Sequence, residues 1–137
     1  MAEKQTPERV RKFGEVFTPL PIVRNMCDML AGESPDAFEV GKTYLEPCCG
    51  DGVFVLEVLR RKFANCKKRA DYTAALDSVY AMDIQADNVA DTIANVVKLC
   101  REYFTPTKAE LALISDHVIQ CDSLKVMRLL NRWMKEG

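Results

Sequence analysis

One stretch in the first half of the chain constrains the fold more than any other. Residues 43–54, Thr-Tyr-Leu-Glu-Pro-Cys-Cys-Gly-Asp-Gly-Val-Phe, pass from an apolar run through a loop of small residues into a second apolar run. Pro47 cannot continue the ladder of a central strand, and Gly50 and Gly52 allow positive φ and a close backbone approach to a ligand. The pattern predicts a strand, a tight turn and a helix whose first N–H groups face a cavity. An ordinary strand-to-helix loop is the alternative.

Two acids lie beside the glycines of this loop, Glu46 and Asp51. Carboxylates would repel a pyrophosphate over a few ångströms in a partly dry site, so a phosphate-binding loop is disfavoured. A ligand that carries both an ammonium group and a carboxylate fits better, because Glu46 can bind the cation and the loop amides can bind the anion. The amino-acid end of S-adenosylmethionine has this pair of charges.

The stretch Leu-Glu-Pro-Cys-Cys-Gly-Asp-Gly-Val-Phe resembles the first motif of the amino-methyltransferases of DNA restriction-modification systems, usually Asp-Pro-x-Cys-Gly-x-Gly-x-Phe. Glu46 replaces the usual Asp and keeps its charge. The resemblance implies a Rossmann-like S-adenosylmethionine-dependent methyltransferase fold. It also implies cofactor contacts from the residues of this motif, which are Glu46, Pro47, Cys48, Gly50, Asp51, Gly52 and Phe54.

A second apolar run, residues 78–84, ends in an acid, Asp83. In a doubly wound sheet the acid that closes the second strand accepts hydrogen bonds from ribose hydroxyls. Ala-Met-Asp-Ile-Gln resembles the second motif of the same family, which implies that Ile84 packs on the adenine. The alternative is that Asp83 caps a helix that begins at Gln85.

A third run, residues 118–121, is followed by Asp122. Cys-Asp-Ser-Leu resembles the third motif, which implies that Asp122 accepts a hydrogen bond from the exocyclic amine of the adenine and that Leu124 contacts the cofactor. Here too, a helix N-cap is the alternative.

The N-terminal part predicts a short helix starting at Thr6-Pro7-Glu8 and ending at Gly14, then an extended segment and a helix up to Gly32. Gly-x-x-Phe-Thr-Pro in this part resembles the tenth motif of the family. That resemblance implies that Phe17 and Thr18 lie across the methionine part of the cofactor. The alternative is that Thr18 is the N-cap of the helix that follows Pro19.

The alternation of strands and helices predicts an α/β protein with a partial parallel sheet of about three strands and flanking helices. We expect a helical segment over 1–32, a Rossmann-like core over 43–124 and an amphipathic helix over 124–137. In the helix after Gly52, we expect Val53, Leu56, Leu59 and Phe63 to be buried and Arg60, Arg61 and Lys62 to point outward. Residues 67–77 are predicted to be a polar loop with a short helix, and residues 85–104 a long helix.

The family's catalytic motif, Asn/Asp-Pro-Pro-Tyr/Phe, has no counterpart, because the 137 residues contain no Pro-Pro dipeptide. We therefore assign no catalytic residue and expect a fragment, the cofactor-binding part of a DNA adenine-N6 methyltransferase. The alternatives are a non-catalytic cofactor-binding or subunit-interaction module that uses the C-terminal helix, and a methyltransferase acting on RNA or protein.

The net charge of -1 argues against a DNA grip by this chain alone, since phosphate neutralisation needs clustered Lys and Arg. DNA would be held by a missing or separate target-recognition region, and the C-terminal helix would contact the rest of the enzyme or another subunit. Six cysteines without Cys-x-x-Cys spacing and one histidine make a metal site unexpected. Without a membrane span or a signal-peptide core, the expected location is the cytoplasm.

Overall fold

The computed structural model describes residues 17–136, so the helix predicted from Thr6 to Gly14 lies outside the described residues. Within that range the chain forms six helices and three strands. In chain order they are α1 (Leu20–Glu33), β1 (Tyr44–Glu46), α2 (Val53–Ala64), α3 (Arg69–Asp77), β2 (Val79–Asp83), α4 (Ala86–Cys100), α5 (Lys108–His117), β3 (Val118–Gln120) and α6 (Ser123–Glu136).

The three strands form one parallel sheet in the order β1-β2-β3, with Glu46 opposite Ala81 and Asp83 opposite Gln120. The strands were predicted from their apolar runs, and the α/β class and the parallel sheet are confirmed. The arrangement is consistent with a Rossmann-like fold. Because the strands are parallel, the loops that follow them emerge at the same edge of the sheet.

The core lies on one face of the sheet. Alternate strand residues Val79, Ala81 and Val118 are buried there, and side chains of four helices, α2 to α5, pack around them. The helices contribute the buried residues Val55, Val58, Leu59, Phe63, Ala75, Leu76, Val96, Leu99, Cys100 and Ile114. On the other face, Leu45, Tyr80 and Ile119 are exposed. The described part of the chain therefore covers the sheet mainly on one side.

Lys62 was expected to point outward, and this prediction is wrong. Its side chain is fully buried, and its Nζ donates hydrogen bonds to the carbonyl oxygens of Glu39 (2.9 Å), Val40 (3.1 Å) and Lys42 and to Oγ of Ser78 (2.9 Å). Lys62 follows the buried residues Val58 and Leu59 by one helical turn, so it lies on the buried face of α2, and its long aliphatic stem carries the ammonium to polar partners. The ammonium thereby ties α2 to the segment before β1.

The short helix predicted within residues 67–77 is present as α3, nine residues long, and Oδ2 of Asp71 accepts from the N–H groups of Lys67 and Lys68 at its start. One helix boundary differs from the sequence prediction. The helix predicted over 85–104 ends at Cys100, and the N–H of Phe104 donates back to the carbonyl of Cys100 at 2.8 Å.

The C-terminal helix α6 has the predicted amphipathic pattern, yet none of its 14 residues is buried. Its large exposed apolar side chains are Leu124, Met127, Leu129, Leu130, Trp133 and Met134. Among residues 17–136, no helix is both long enough and apolar enough to cross a bilayer.

Candidate functional site

The turn after β1 depends on its two glycines. Gly50 has φ 54° and Gly52 has φ 93°, values in the left-handed region that side chains disfavour. A Cβ at Gly50 would lie 3.1 Å from two ring carbons of Phe17, and a Cβ at Gly52 would lie 3.0 Å from Cγ2 of Thr92. Both backbone geometry and space therefore demand glycine here.

Several loop amides are already used within the protein. The N–H of Cys49 donates to the carbonyl of Met82 at 2.8 Å, that of Gly50 to Oδ2 of Asp83 at 3.0 Å, and that of Gly52 to the carbonyl of Cys49 at 2.8 Å. Within the described residues the Asp51 N–H has no acceptor. The first N–H groups of α2 also lack acceptors inside the helix. These amides are the donors that an anionic ligand group could use.

Asp83 lies at the end of β2 and is only 4% exposed. Its Oδ1 accepts from the N–H of Gln85 at 2.8 Å and from Nδ2 of Asn88 at 3.3 Å, while its Oδ2 accepts from Gly50. The alternative in which Asp83 is the helix cap is wrong, because the N-cap of α4 is Gln85 and no side chain caps this helix. The bond from Asp83 to the turn was not indicated by the sequence. A carboxylate has about four acceptor positions, and the three bonds within the described residues leave one of them on Oδ2.

Glu46 lies at the end of β1, half buried, and its Oε1 accepts from the N–H of Cys48 at 3.1 Å. Among residues 17–136, no Lys, Arg or His forms an ion pair with it. Burial raises the pKa of Glu46 above its ordinary value of 4.5, and the bond from Cys48 offsets this only in part. A carboxylate that is partly dehydrated and lacks a cation is suited to bind a cationic ligand group.

The acid after β3 caps the following helix. Oδ1 of Asp122 accepts from the N–H groups of Leu124 (3.1 Å) and Lys125 (3.4 Å) at the start of α6. Its Oδ2 carries no hydrogen bond in the described structure and could accept from an amine. Ile84 and Leu124 are both exposed, with Ile84 at 49%, so each is available for contact with a ligand.

The segment before α1 lies against the turn. The ring of Phe17 lies against Gly50, so Phe17 is placed beside the turn. Thr18 is half buried, but the N-cap of α1 is Pro19 and no side chain caps this helix. The alternative in which Thr18 caps the helix is therefore wrong.

A cavity of about 310 Å³ lies between α1, β1 and α2, next to Glu46. Met26, Leu30, Leu45 and Phe54 contribute apolar walls, and Glu46 is the charged residue of its lining. An apolar space with one carboxylate at its margin suits a ligand with an aliphatic part and a cationic end.

The two loop cysteines differ in their surroundings. Cys49 is buried, its Sγ lies 3.4 Å from Oγ1 of Thr92, and burial raises the pKa of its thiol to about 11. It is therefore protonated at neutral pH and serves as a packing residue. Cys48 is exposed, whereas its neighbour Pro47 and the following loop residue Asp51 are half buried.

The structure thus brings Phe17, the turn, Glu46 and Asp83 together at one edge of the sheet. The sequence prediction missed three residues of α4 at this site: Thr92 and Asn95 donate to carbonyls of the turn, and Asn88 donates to Asp83. Their spacing of four and three residues places them on one face of a helix, which was the available signal. No group of three or more His, Cys, Asp or Glu side chains suited to a metal ion occurs in the described part of the chain.

Comparisons with models of protein families, with curated proteins and with solved structures find no match to this chain.

Proposed function

We propose that this chain binds S-adenosylmethionine at the carboxyl edge of its sheet, as the cofactor-binding part of a Rossmann-like DNA methyltransferase that modifies adenine at N6. Glu46 binds the methionine ammonium, and the turn from Gly50 to Gly52 binds the carboxylate. Asp83 accepts from the ribose, while the adenine packs on Ile84 and donates its amine proton to Asp122. Phe17, Thr18 and Leu124 border the same ligand.

The observation that carries the proposal is that a carboxylate and backbone N–H donors lie beside the same turn. Among residues 17–136, Glu46 pairs with no cation, and a few residues later the N–H of Asp51 has no acceptor. A ligand whose end carries both an ammonium and a carboxylate satisfies both sets of groups. A dinucleotide would place its pyrophosphate close to Glu46 and would be repelled.

When bound, S-adenosylmethionine supplies an electrophilic methyl group. The residues of this chain bind and orient the cofactor, and none of them is assigned a catalytic role. The groups that would activate an amine lie in the Pro-Pro motif of the resembled family, and these 137 residues contain no such dipeptide.

The test is a calorimetric titration of the chain with S-adenosylhomocysteine and, separately, with NAD. Ile84→Ala serves as the binding variant, and Ile119→Ala is its matched control, because the two side chains are similarly exposed, at 49% and 46%. We expect saturable binding of S-adenosylhomocysteine and not of NAD, with about fivefold to tenfold weaker binding in Ile84→Ala. Equal affinity in both variants, or preference for NAD, would contradict the proposal.

A second candidate is a subunit-interaction module, and α6 favours it. Fourteen residues without a buried side chain, with Trp133 and Met134 among the most exposed of the large apolar side chains, form a surface suited to another part of an enzyme or to another subunit. Sedimentation analysis over a concentration series compares wild type with Trp133→Lys. Self-association that this variant abolishes would support the module, whereas identical monomeric behaviour of both proteins would argue against α6 as a self-association surface.

A further inference from the structure

Two polar side chains of α4 hold the turn from one side. Oγ1 of Thr92 donates to the carbonyl of Gly50 at 3.0 Å, and Nδ2 of Asn95 donates to the carbonyl of Asp51 at 3.0 Å. Thr92 is fully buried, and its methyl group is the atom nearest to the place where Gly52 lacks a side chain. Helix α4 therefore fixes the direction of two successive loop carbonyls.

The direction of each carbonyl decides where the next N–H points. All described peptide bonds are trans, and in a trans peptide the C=O and the N–H point in opposite directions. The carbonyl of Asp51 points to Asn95, and the N–H of Gly52 in the same peptide unit donates to Cys49. The carbonyl of Gly50 points to Thr92, so the N–H of Asp51 points away from α4. Within residues 17–136 that N–H has no acceptor.

We propose that Thr92 is a positioning residue that, by holding the Gly50 carbonyl, presents the Asp51 N–H to the carboxylate of the methionine part of the cofactor. The inference rests on the proposed function and deepens it, because it assigns the anion-binding donor to one peptide group. Gly50 is conformationally permissive, so without the hydroxyl of Thr92 this peptide can rotate and the donor loses its direction. Thr92 itself does not touch the ligand.

The test compares two ligands that differ at the relevant end. S-adenosylhomocysteine carries the amino-acid group, and 5′-methylthioadenosine lacks it. Thr92→Val removes the hydroxyl while keeping the methyl contact with Gly52. We expect the Kd of this variant for S-adenosylhomocysteine to rise about tenfold and its Kd for 5′-methylthioadenosine to stay unchanged. Thr92→Ser should restore the affinity, and Thr43→Val, at an exposed position before β1, should leave it unchanged.

The possible results separate the two proposals. If wild type binds neither ligand, the proposed function fails and this inference fails with it. If wild type binds both and Thr92→Val keeps the wild-type affinity for S-adenosylhomocysteine, the inference alone is overturned. Equal weakening for both ligands without rescue by Thr92→Ser also overturns it, since that result describes general loss of packing and not the orientation of one donor.

Discussion

Glu46 and Glu110 are both glutamates with restricted access to water, and their surroundings are opposite. Glu110, at the start of α5, accepts from Nη1 and Nη2 of Arg69 at 2.9 and 2.5 Å, from Oγ1 of Thr73 at 2.7 Å and from the N–H of Thr107 at 2.9 Å. These bonds, chiefly those of Arg69, lower its pKa to about 2. Glu46 accepts one backbone N–H, and burial raises its pKa.

The difference separates a structural carboxylate from a binding carboxylate. The ion pair of Glu110 joins α3 to α5, and its charge is already satisfied before any ligand arrives. The charge of Glu46 is not compensated within the described structure, so the folded protein carries a desolvation cost there that a cationic ligand would offset. We therefore expect removal of the Glu110 carboxylate to lower the stability of the protein and removal of the Glu46 charge to raise it.

The largest expected effect is at Glu110, the carboxylate whose charge is already paired. Glu110→Ala removes four hydrogen bonds, two of them to Arg69, and leaves the Thr107 N–H without its acceptor. We expect the free energy of unfolding to fall by about 3 to 4 kcal/mol, as measured by urea titration at pH 7. Glu102→Ala, at an exposed position, is the matched control and should change it little. If both variants lost a similar amount of unfolding free energy, the hydrogen bonds of Glu110 would not be the source of the stabilisation.

The Glu110 region also predicts a response to acid. Because the folded-state pKa lies near 2 and the ordinary value is 4.5, the stabilisation is complete above pH 4.5 and is lost as the pH falls towards 2. The stability difference between wild type and Glu110→Ala should shrink across this range. A constant difference from pH 5 to pH 2.5 would contradict the assignment.

Lys62 is a buried charge of the opposite sign. Four oxygens surround its ammonium, but none belongs to a carboxylate. Burial lowers its pKa from 10.5 to about 8. Between these values the unfolded chain binds a proton that the folded protein does not, so stability should rise with pH. Relative to Lys62→Met, we expect the wild-type free energy of unfolding to gain about 2 to 3 kcal/mol from pH 8 to pH 10.5. Parallel pH profiles for the two proteins would show that the oxygens keep the ammonium charged.

A smaller effect is expected from the turn beside Glu46. Gly50→Ala introduces a Cβ at φ 54° that would lie 3.1 Å from the ring of Phe17. We therefore expect the free energy of unfolding, measured by thermal unfolding, to fall by about 1 to 2 kcal/mol. Gly41→Ala is the matched control, because no atom lies within 4 Å of its added Cβ and its φ is not positive. If Gly50→Ala were as stable as Gly41→Ala, the turn would not have the described conformation.

The sequence predicted those features that depend on local pattern. Pro47, Gly50 and Gly52 locate the turn because their backbone preferences act within a few residues, and the apolar runs locate the three strands. Glu46 and Asp83 lie at the ends of their strands, and Asp122 lies two residues after the end of β3, as the same local pattern indicates.

Features that depend on distant residues could not be predicted in this way. The burial of Lys62 requires carbonyl groups of residues about 20 positions earlier, and the bond from Gly50 to Asp83 joins residues 33 apart. The helix spacing of Asn88, Thr92 and Asn95 defines a face, but it does not indicate that the turn packs on it. Helical periodicity indicates which residues share a face and not which group that face will meet.

Glu46→Gln tests whether the charge of Glu46, which pairs with no cation among residues 17–136, binds the cationic group of a ligand. Glutamine keeps the acceptor for the Cys48 N–H and removes the charge. Thermal unfolding and calorimetric titration with S-adenosylhomocysteine at pH 7 would be measured on the same samples. Because burial raises the folded-state pKa of Glu46, its charge costs stability above that pKa, and we expect Glu46→Gln to unfold at a higher temperature than wild type. We also expect this variant to bind S-adenosylhomocysteine at least about tenfold more weakly. A variant that is less stable than wild type and binds with wild-type affinity would show that Glu46 is not a binding carboxylate.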